Sequence, residues 1–254
     1  MSFTVPADAY QRFMGRFADP LATRFADATG VAPGLTALDV GCGPGALTAV
    51  LVERLGPAAV AAADPSEPFV AAAQARFPDV DVRQARAEDL PFDSAGFDVV
   101  LAQLVVHFMA VPVVGLREMA RVARPGGVVA ACVWDFGGDR SPLTTFWRAA
   151  RELDVGAPGE AHLAGAREGQ LQALFAEAGL PDADGTALAV EVAHPSFEDW
   201  WEPFTLGVGP AGAYLAALDG AARQALERRC RQLLPRGAFA TRAWAWSVQA
   251  RTPG

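Results

Sequence analysis

A glycine-rich turn between an apolar run and an amphipathic run constrains the fold of this chain more than any other feature. The apolar run at residues 35–40 predicts a strand, the turn holds Gly41, Gly43 and Gly45, and residues 47–55 carry apolar side chains at helical spacing. Glycines let backbone N–H groups and a helix N-terminus approach a ligand that a side chain would block. The segment therefore predicts a strand–turn–helix unit that binds a ligand at its turn.

A second strand that ends in an acid narrows the class of ligand. Residues 58–63 predict this strand, and Asp64 follows it about 20 residues after the last glycine of the turn. An acid at that separation is placed to accept hydrogen bonds from ribose hydroxyls. The two features together predict a cofactor that contains a nucleoside. Singly, each also suits a plainer structure, an ordinary tight turn or an acid that caps the next helix.

The residues around the turn favour S-adenosylmethionine (SAM) over a nicotinamide dinucleotide. Ala46 stands where the dinucleotide fingerprint has its third glycine, although alanine is tolerated there. Asp39, two residues before the first glycine, would repel a pyrophosphate but can approach a cationic amino group, directly or through water. SAM has a ribose and a positively charged amino acid tail and has no phosphate, so it fits both acids.

Five segments, in sequence order, carry a resemblance to a known family. They are LDVGCGPG at 38–45, DPS at 64–66, AEDLPF at 87–92, FDVV at 97–100 and REMARVARPGG at 117–127. With them, residues 38–134 resemble the class I SAM-dependent methyltransferases of the type 11 family. The resemblance implies SAM as the cofactor and a Rossmann-like fold with a seven-stranded, mostly parallel sheet, an antiparallel last strand and a helical lid. It does not imply a substrate.

The apolar pattern agrees with an α/β class of fold. Runs at 80–85, 97–102 and 128–134 predict further strands, and residues 66–77 and 113–122 predict helices between them. Such alternation predicts a doubly wound sheet that binds its ligand at the carboxyl ends of the strands. The pattern weakens downstream, where a helix at 170–178, a strand at 186–193, a helical insert at 196–235 and a strand at 239–250 are predicted.

We expect one domain over residues 1–254. Its predicted parts are an N-terminal helical cap at 1–33, a cofactor-binding core at 34–136, and lid or substrate insertions at 137–168 and 196–236. The net charge of −8 argues against a nucleic-acid partner, because phosphate binding needs clustered basic residues. The chain has no apolar run typical of a signal peptide or a membrane span, which favours a cytoplasmic protein.

The three cysteines are far apart and have no histidine clusters beside them, so they predict free thiols and no metal site. The sequence leaves open whether the protein is a monomer or a homodimer.

The cofactor residues are predicted from the motifs and the resemblance. The turn and Asp39 should border the amino acid tail of SAM, Asp64 should hold the ribose, and Arg16 is a candidate partner of the SAM carboxylate, against the plainer role of a surface arginine. The resemblance implies that the adenine lies near Ala87, although Arg86 stands where the family commonly has Asp or Asn. The full predicted set is Arg16, Asp39, Gly41, Cys42, Gly43, Asp64, Pro65, Ala87, Glu88, Gln103 and Leu104.

The catalytic and substrate residues follow less directly. His107 comes after the fourth predicted strand and has an ordinary pKa near neutrality, which makes it the candidate general base; the plainer interpretation is a packing residue. The aromatic residues Tyr10, Trp134, Trp200 and Trp201 are predicted to form a pocket for a flat or apolar small molecule, with core packing as the alternative.

The predicted function is SAM-dependent methyl transfer to a small aromatic or apolar metabolite. A DNA amino-methyltransferase is disfavoured, because residues 102–105 lack a Pro-Pro-aromatic turn. Three alternatives stay open: a SAM-fold enzyme of natural-product biosynthesis that catalyses a cyclisation or isomerisation, a non-catalytic SAM-binding subunit, and, more distantly, an NAD oxidoreductase.

Overall fold

Seven strands form one sheet in the computed structural model, which describes residues 7–154 and 156–254. The strands are β1 (Ala37–Val40), β2 (Val60–Asp64), β3 (Asp81–Gln84), β4 (Phe97–Gln103), β5 (Ala123–Trp134), β6 (Asp184–His194) and β7 (Phe239–Arg251). Their order is β3-β2-β1-β4-β5-β7-β6; β1 to β5 pair in parallel, and β7 is antiparallel to β5 and β6. The predicted fold is confirmed. Residues 1–6 of the predicted cap lie outside the described residues.

Helices cover both faces of the sheet. They are α1 (Ala7–Tyr10), α2 (Arg16–Ala28), α3 (Ala46–Leu55), α4 (Glu67–Arg76), α5 (Pro112–Val122), α6 (Thr144–Leu153), α7 (Gln170–Glu177), α8 (Phe197–Trp201), α9 (Gly209–Ala217) and α10 (Gly220–Leu233). Side chains of a strand alternate between faces, so Ala37 of β1 joins the apolar cluster of α2 and α3, and Leu38 joins that of α5 and α7. Each fully buried leucine or phenylalanine there contributes about 1.5–3 kcal/mol.

The fifth strand is longer than the sequence pattern predicted. The sequence pattern predicted a helix at 113–122 and a strand at 128–134, whereas β5 already begins at Ala123. The pairing of β4 and β5 is irregular there, because Phe97 pairs with Ala123 and Val99 with Val128. The residue just after β7 holds the extra residues: Gly126 N–H donates to the Thr252 carbonyl. This long-range pairing overrides the local signal.

The N-terminal helices and the insertion after β6 lie over the carboxyl ends of the strands. A five-residue π-helical turn, Gln11–Gly15, joins α1 to α2, and a 3₁₀ turn, Glu202–Leu206, follows α8. Their contact is an edge-to-face pair between Phe13 and Phe204, with ring centroids 5.1 Å apart. Within the described ranges, no helix has both the length and the hydropathy that a membrane-spanning helix needs.

Candidate functional site

Two adjoining cavities lie at the carboxyl ends of the strands. The first, here called the rim cavity, has a volume of about 250 Å³ and lies where β1, β2 and β4 end. The second, here called the aromatic cavity, has a volume of about 40 Å³ and lies beneath the N-terminal segment and the insertion. Tyr10, Leu104 and Phe108 line both. Nine predicted site residues line the rim cavity: Tyr10, Gly41, Gly43, Asp64, Pro65, Ala87, Glu88, Gln103 and Leu104.

The N–H groups of the glycine-rich turn already have partners within the protein. Those of Gly41 and Cys42 both donate to the Ala63 carbonyl, at 2.7 and 3.0 Å, and that of Gly43 donates to Asp64 Oδ2 at 2.9 Å. The expectation of bare N–H groups that face a ligand is therefore wrong for these three residues. A turn whose donors are occupied is a poor cradle for a phosphate, and this agrees with a cofactor that has none.

Glycine is required at two positions of the turn for different reasons. Gly41 has φ +73°, and a Cβ there would lie 2.4 Å from a methyl group of Val105. Gly43 has φ +54° and lines the rim cavity, and a Cβ there would meet no atom within 4 Å. Gly41 lets β1 and the segment after β4 pack closely, whereas Gly43 leaves room for a ligand.

The Asp64 carboxylate is oriented by both loops that it joins. Its Oδ2 accepts from Gly43 N–H, and its Oδ1 accepts from Ser66 N–H at 2.8 Å, at the start of α4. Burial raises the pKa of this carboxyl, and the two backbone hydrogen bonds oppose the rise. Each oxygen keeps a lone pair for a ligand hydroxyl, so the helix-capping and ribose-binding interpretations are compatible.

Asp39 and Cys42 lie behind the turn rather than on the cavity wall. Asp39 is 1% exposed, and its Oδ2 accepts a hydrogen bond from the Thr48 hydroxyl at 2.6 Å. The pKa of Asp39 is raised to about 7, by burial above all and also by the nearby Asp64, while the hydrogen bond from Thr48 opposes the rise. Asp39 does not line the rim cavity, so its predicted approach to a cationic tail stays a prediction.

Gln103 connects the cavity to the N-terminal helix. Its Nε2 donates to the Ala18 carbonyl of α2 at 2.9 Å, which settles the orientation of the amide. Its Oε1 is buried and has no hydrogen-bond partner among the residues that the structure describes. The next residue, Leu104, has φ +62°, an unusual backbone conformation for a side chain of this kind and one that costs about 1–3 kcal/mol. A lone buried acceptor and a strained residue therefore adjoin at the cavity wall.

Ala87 and Glu88, in the segment after β3, both line the rim cavity as predicted, and Pro65, after β2, lines it too. Glu88 Oε1 accepts hydrogen bonds from Ala110 N–H at 2.7 Å and from Val111 N–H at 3.2 Å, just before α5. Its carboxylate therefore ties two loops of the rim together. Arg86 also lines the cavity and lies 3.6 Å from Glu88.

Arg16 is not on the wall of either cavity. Its guanidinium donates to Asp199 Oδ2 at 2.7 Å and to the Asp199 carbonyl at 3.0 Å, and His194 Nδ1 lies 3.1 Å from the same Oδ2. These contacts join α2 to α8 and the end of β6. The expected pairing of Arg16 with the SAM carboxylate has no support from this arrangement, because Asp199 already occupies the guanidinium.

The aromatic cavity contains the candidate base. His107 and Trp134 line it, together with Phe136. His107 is buried, and burial lowers its pKa to about 3, so that the imidazole is neutral. The centroids of the Phe108 ring and the His107 imidazole are 4.0 Å apart. Nδ1 of His107 has no hydrogen-bond partner within the described part of the chain.

The two tryptophans of α8 lie elsewhere. Trp200 and Trp201 are 3% and 8% exposed and line neither cavity. They belong to an aromatic layer, which consists of Phe146, Phe197, Trp200, Trp201 and Phe204 and in which Phe146 stacks on Phe204 at 4.7 Å. The structure thus supports the alternative interpretation of these two residues, packing of the insertion against α6.

The sequence reasoning missed Glu160. This carboxyl lines the aromatic cavity and is 4% exposed, and its Oε2 accepts a hydrogen bond from Trp147 Nε1 at 2.7 Å. Burial raises its pKa to about 7, against the effect of that hydrogen bond. It stands alone among small residues at 156–161, so no pattern marked it. Other wall residues not predicted are Phe69, Val105 and Met109 of the rim cavity and Phe13, Met14, Leu143 and Val208 of the aromatic cavity.

Comparison with known proteins gives relatives along most of the chain. The family described as "Methyltransferase domain" matches residues 38–131. An uncharacterised methyltransferase of Mycolicibacterium vanbaalenii is 34% identical over 214 residues, which are 79% of this chain and 82% of that protein. The nocamycin O-methyltransferase of Saccharothrix syringae is 37% identical over 134 residues, which are 50% of this chain and 48% of that protein.

A solved structure shows the same fold. The geranyl diphosphate C-methyltransferase of Streptomyces coelicolor, in complex with Mg²⁺, geranyl diphosphate and S-adenosylhomocysteine, matches 94% of this chain and 80% of its own. The TM-score is 0.53 at 16% identity, which shows likeness of fold alone. With the motif residues gathered on one rim and a relative along four fifths of its length, this chain belongs to the class I SAM-dependent methyltransferases of the type 11 family, and its cofactor is SAM.

Proposed function

We propose that this protein transfers a methyl group from SAM to a small aromatic or apolar metabolite that binds in the aromatic cavity. The observation that carries the proposal is the junction of the two cavities, which share Tyr10, Leu104 and Phe108 as walls. A cofactor in one cavity and an acceptor in the other would meet there. Methyl transfer depends above all on such positioning. The O-methyltransferase among the relatives supports an acceptor from secondary metabolism.

The walls of the rim cavity fit the parts of SAM. Bound SAM supplies an electrophilic methyl group. We assign the ribose hydroxyls to the Asp64 carboxylate, which Gly43 and Ser66 already orient. The lone acceptor Gln103 Oε1 suits the ammonium of the amino acid tail. Pro65, Ala87 and Glu88 remain for the adenine.

His107 is assigned as the group that accepts the proton of the nucleophile. Its Nδ1 has no partner among the described residues, and it accepts a hydrogen bond in the tautomer that carries the proton on Nε2. The residue lines the cavity where an acceptor hydroxyl or amine would bind. Burial lowers the pKa of the imidazole to about 3, which makes it a weak base. It therefore orients the nucleophile and takes up the proton only as the nucleophile reacts.

The remaining assignments concern access and location. We propose residues 137–168 and 196–236, with the N-terminal cap, as the lid of the site, because they supply Glu160 and Val208 to the walls of the aromatic cavity. Tyr10 and Trp134 are assigned to the acceptor site, since both line that cavity. A cytoplasmic location stays a prediction.

The test combines binding and turnover. Calorimetry should show SAM binding at one site, and a panel of small phenols and catechols should give S-adenosylhomocysteine and methylated product in equal amounts. Conversion of an acceptor without S-adenosylhomocysteine would support the cyclase or isomerase alternative. Absence of SAM binding by a folded protein would contradict the proposal.

A further inference from the structure

We infer that Glu160 is a binding residue for the acceptor and that it donates a hydrogen bond, as an uncharged carboxylic acid, to an oxygen of the acceptor. The inference rests on the proposed function, because it places the acceptor in the aromatic cavity. Glu160, in the segment after α6, lines that cavity together with residues of the N-terminal segment; among the described residues no arginine lines it, and the imidazole of His107, which also lines it, is neutral.

The surroundings of Glu160 disfavour a charge. Glu160 is 4% exposed, and the other residues that line the cavity are mostly apolar or aromatic, among them Phe13, Phe136 and Leu143. Burial of a carboxylate without a cationic partner costs several kcal/mol, and a group so placed keeps its proton instead. The raised pKa of Glu160, about 7, agrees with this physical expectation.

The geometry of the carboxyl assigns a direction to its proton. Trp147 Nε1 is a pure donor, and it holds Oε2 at 2.7 Å as an acceptor. This hydrogen bond also fixes the side-chain rotamer. Oε1 is then the oxygen that carries the proton as an O–H donor. A buried carboxylic acid of this kind recognises an uncharged oxygen, such as a phenolic hydroxyl or a carbonyl.

Two more polar atoms of the same cavity complete the pattern. His107 Nδ1 and Trp134 Nε1 are buried and have no hydrogen-bond partner among the described residues. The residues that line the cavity thus include a donor in Trp134, the proposed donor Glu160, and His107, whose Nδ1 accepts when the proton is on Nε2. A flat acceptor with a hydroxyl and a second oxygen satisfies all three, whereas a purely apolar one leaves them unsatisfied.

The closed cavity is too small for such a molecule, so the wall at residues 208–211 must move outward. About 40 Å³ holds a few water molecules, and a single aromatic ring needs more. Val208 lies between Gly207 and Gly209, whose φ values are +73° and +62°. Glycines on both sides give this wall the backbone freedom to shift at low cost.

The test uses the isosteric variant Glu160→Gln and the apolar variant Glu160→Leu, with p-cresol, toluene and benzylamine as probes. Binding is measured by saturation-transfer NMR on protein loaded with S-adenosylhomocysteine, with exposed Glu168→Gln as the matched control. The amide of glutamine keeps an oxygen for Trp147 and a donor for the probe. We expect p-cresol affinity to stay within about threefold in Glu160→Gln and to fall about tenfold in Glu160→Leu, while toluene is unaffected.

Other outcomes overturn the inference. If benzylamine binds more tightly than p-cresol and is lost in Glu160→Gln, the group is a carboxylate that recognises a cation. If p-cresol fails to bind the wild-type protein, or binds Glu160→Leu equally well, Glu160 has only a structural role. Calorimetry with SAM on the same proteins separates the two proposals, because SAM binding depends on the rim cavity and is expected to be unchanged in every Glu160 variant.

Discussion

The two cavities are built in different ways. The rim cavity is formed mainly by loops that directly follow strands of one parallel sheet, and its polar groups are fixed by backbone hydrogen bonds such as Gly43 N–H to Asp64. The aromatic cavity is formed by side chains from residues 10–14, 104–108, 134–160 and 208–211, which meet only after the insertion folds. Local sequence therefore specifies the first cavity, whereas tertiary packing specifies the second.

Truncation of Trp201 tests whether the insertion supports the acceptor site or forms part of it. Trp201 packs in the aromatic layer against Phe197 at 6.0 Å, so Trp201→Ala should reduce the free energy of unfolding by about 3–5 kcal/mol. The measurement is urea denaturation, with exposed Leu153→Ala as the control, for which a change within about 0.5 kcal/mol is expected. A large rise of acceptor KM at unchanged stability would instead return Trp201 to the substrate pocket, as first predicted.

Insertion of a side chain at Gly43 tests the backbone-built cavity. Gly43→Val should weaken SAM binding at least about a hundredfold, because Gly43 lines the rim cavity and the space beside its Cα is open to a new side chain. Gly56→Val is a matched control, since Gly56 also has a positive φ, +82°, and open space beside its Cα, but lies far from the cavity wall. Both variants place a β-branched side chain at a positive φ, and only Gly43→Val should lose affinity for SAM. Calorimetry with SAM decides; equal affinities in the two variants would contradict the placement.

The accuracy of the sequence predictions follows this difference. Gly41, Gly43 and Asp64 could be assigned because the turn and the acid about 20 residues on are encoded in one strand–turn–helix unit. The hydrogen bonds of the turn could not be predicted, because they depend on the neighbouring strand. The Ala63 carbonyl of β2 accepts from two of the N–H groups of the turn.

The site predictions that the structure does not support concern residues whose contacts come from segments distant in sequence. Arg16 was assigned to the cofactor, but Asp199, at the other end of the chain, binds its guanidinium. Trp200 and Trp201 were assigned to the pocket by residue type, yet large apolar surfaces are also what a buried layer between helices needs. Glu160 has no motif, so only its position in the folded chain reveals it.

Replacement of His107 separates the roles of the two cavities in turnover. His107→Gln should lower kcat about 10- to 100-fold and leave SAM affinity unchanged, since His107 lines the aromatic cavity and not the rim cavity. Because its pKa is lowered to about 3, the imidazole is neutral from about pH 5 to pH 9, and kcat should show no step from its protonation in that interval. Steady-state kinetics across pH check both. Full activity of the variant would make His107 a packing residue.

Replacement of Asp39 should give the smallest effect. It concerns how the free energy of unfolding of the SAM-free protein depends on pH. Its pKa is raised from 3.8 to about 7 by burial, so between these values the folded state binds more protons than the unfolded state, and stability falls as the pH rises. Between about pH 5 and pH 8, the free energy of unfolding of Asp39→Asn should fall by about 1–2 kcal/mol less than that of the wild type, because the amide does not titrate. The amide oxygen can still accept the hydrogen bond from Thr48. Denaturation at several pH values measures it.

The same measurement, repeated with SAM, distinguishes the two cavities. Glu160 also has a pKa raised to about 7, so it too makes stability fall as the pH rises. SAM brings positive charge to the rim cavity, which lowers the pKa of Asp39 behind the turn. Saturating SAM should therefore remove the difference in slope between wild type and Asp39→Asn, whereas the difference between wild type and Glu160→Gln should persist. If SAM leaves both slopes unchanged, Asp39 does not sense the cofactor's charge, and the turn acts through its shape alone.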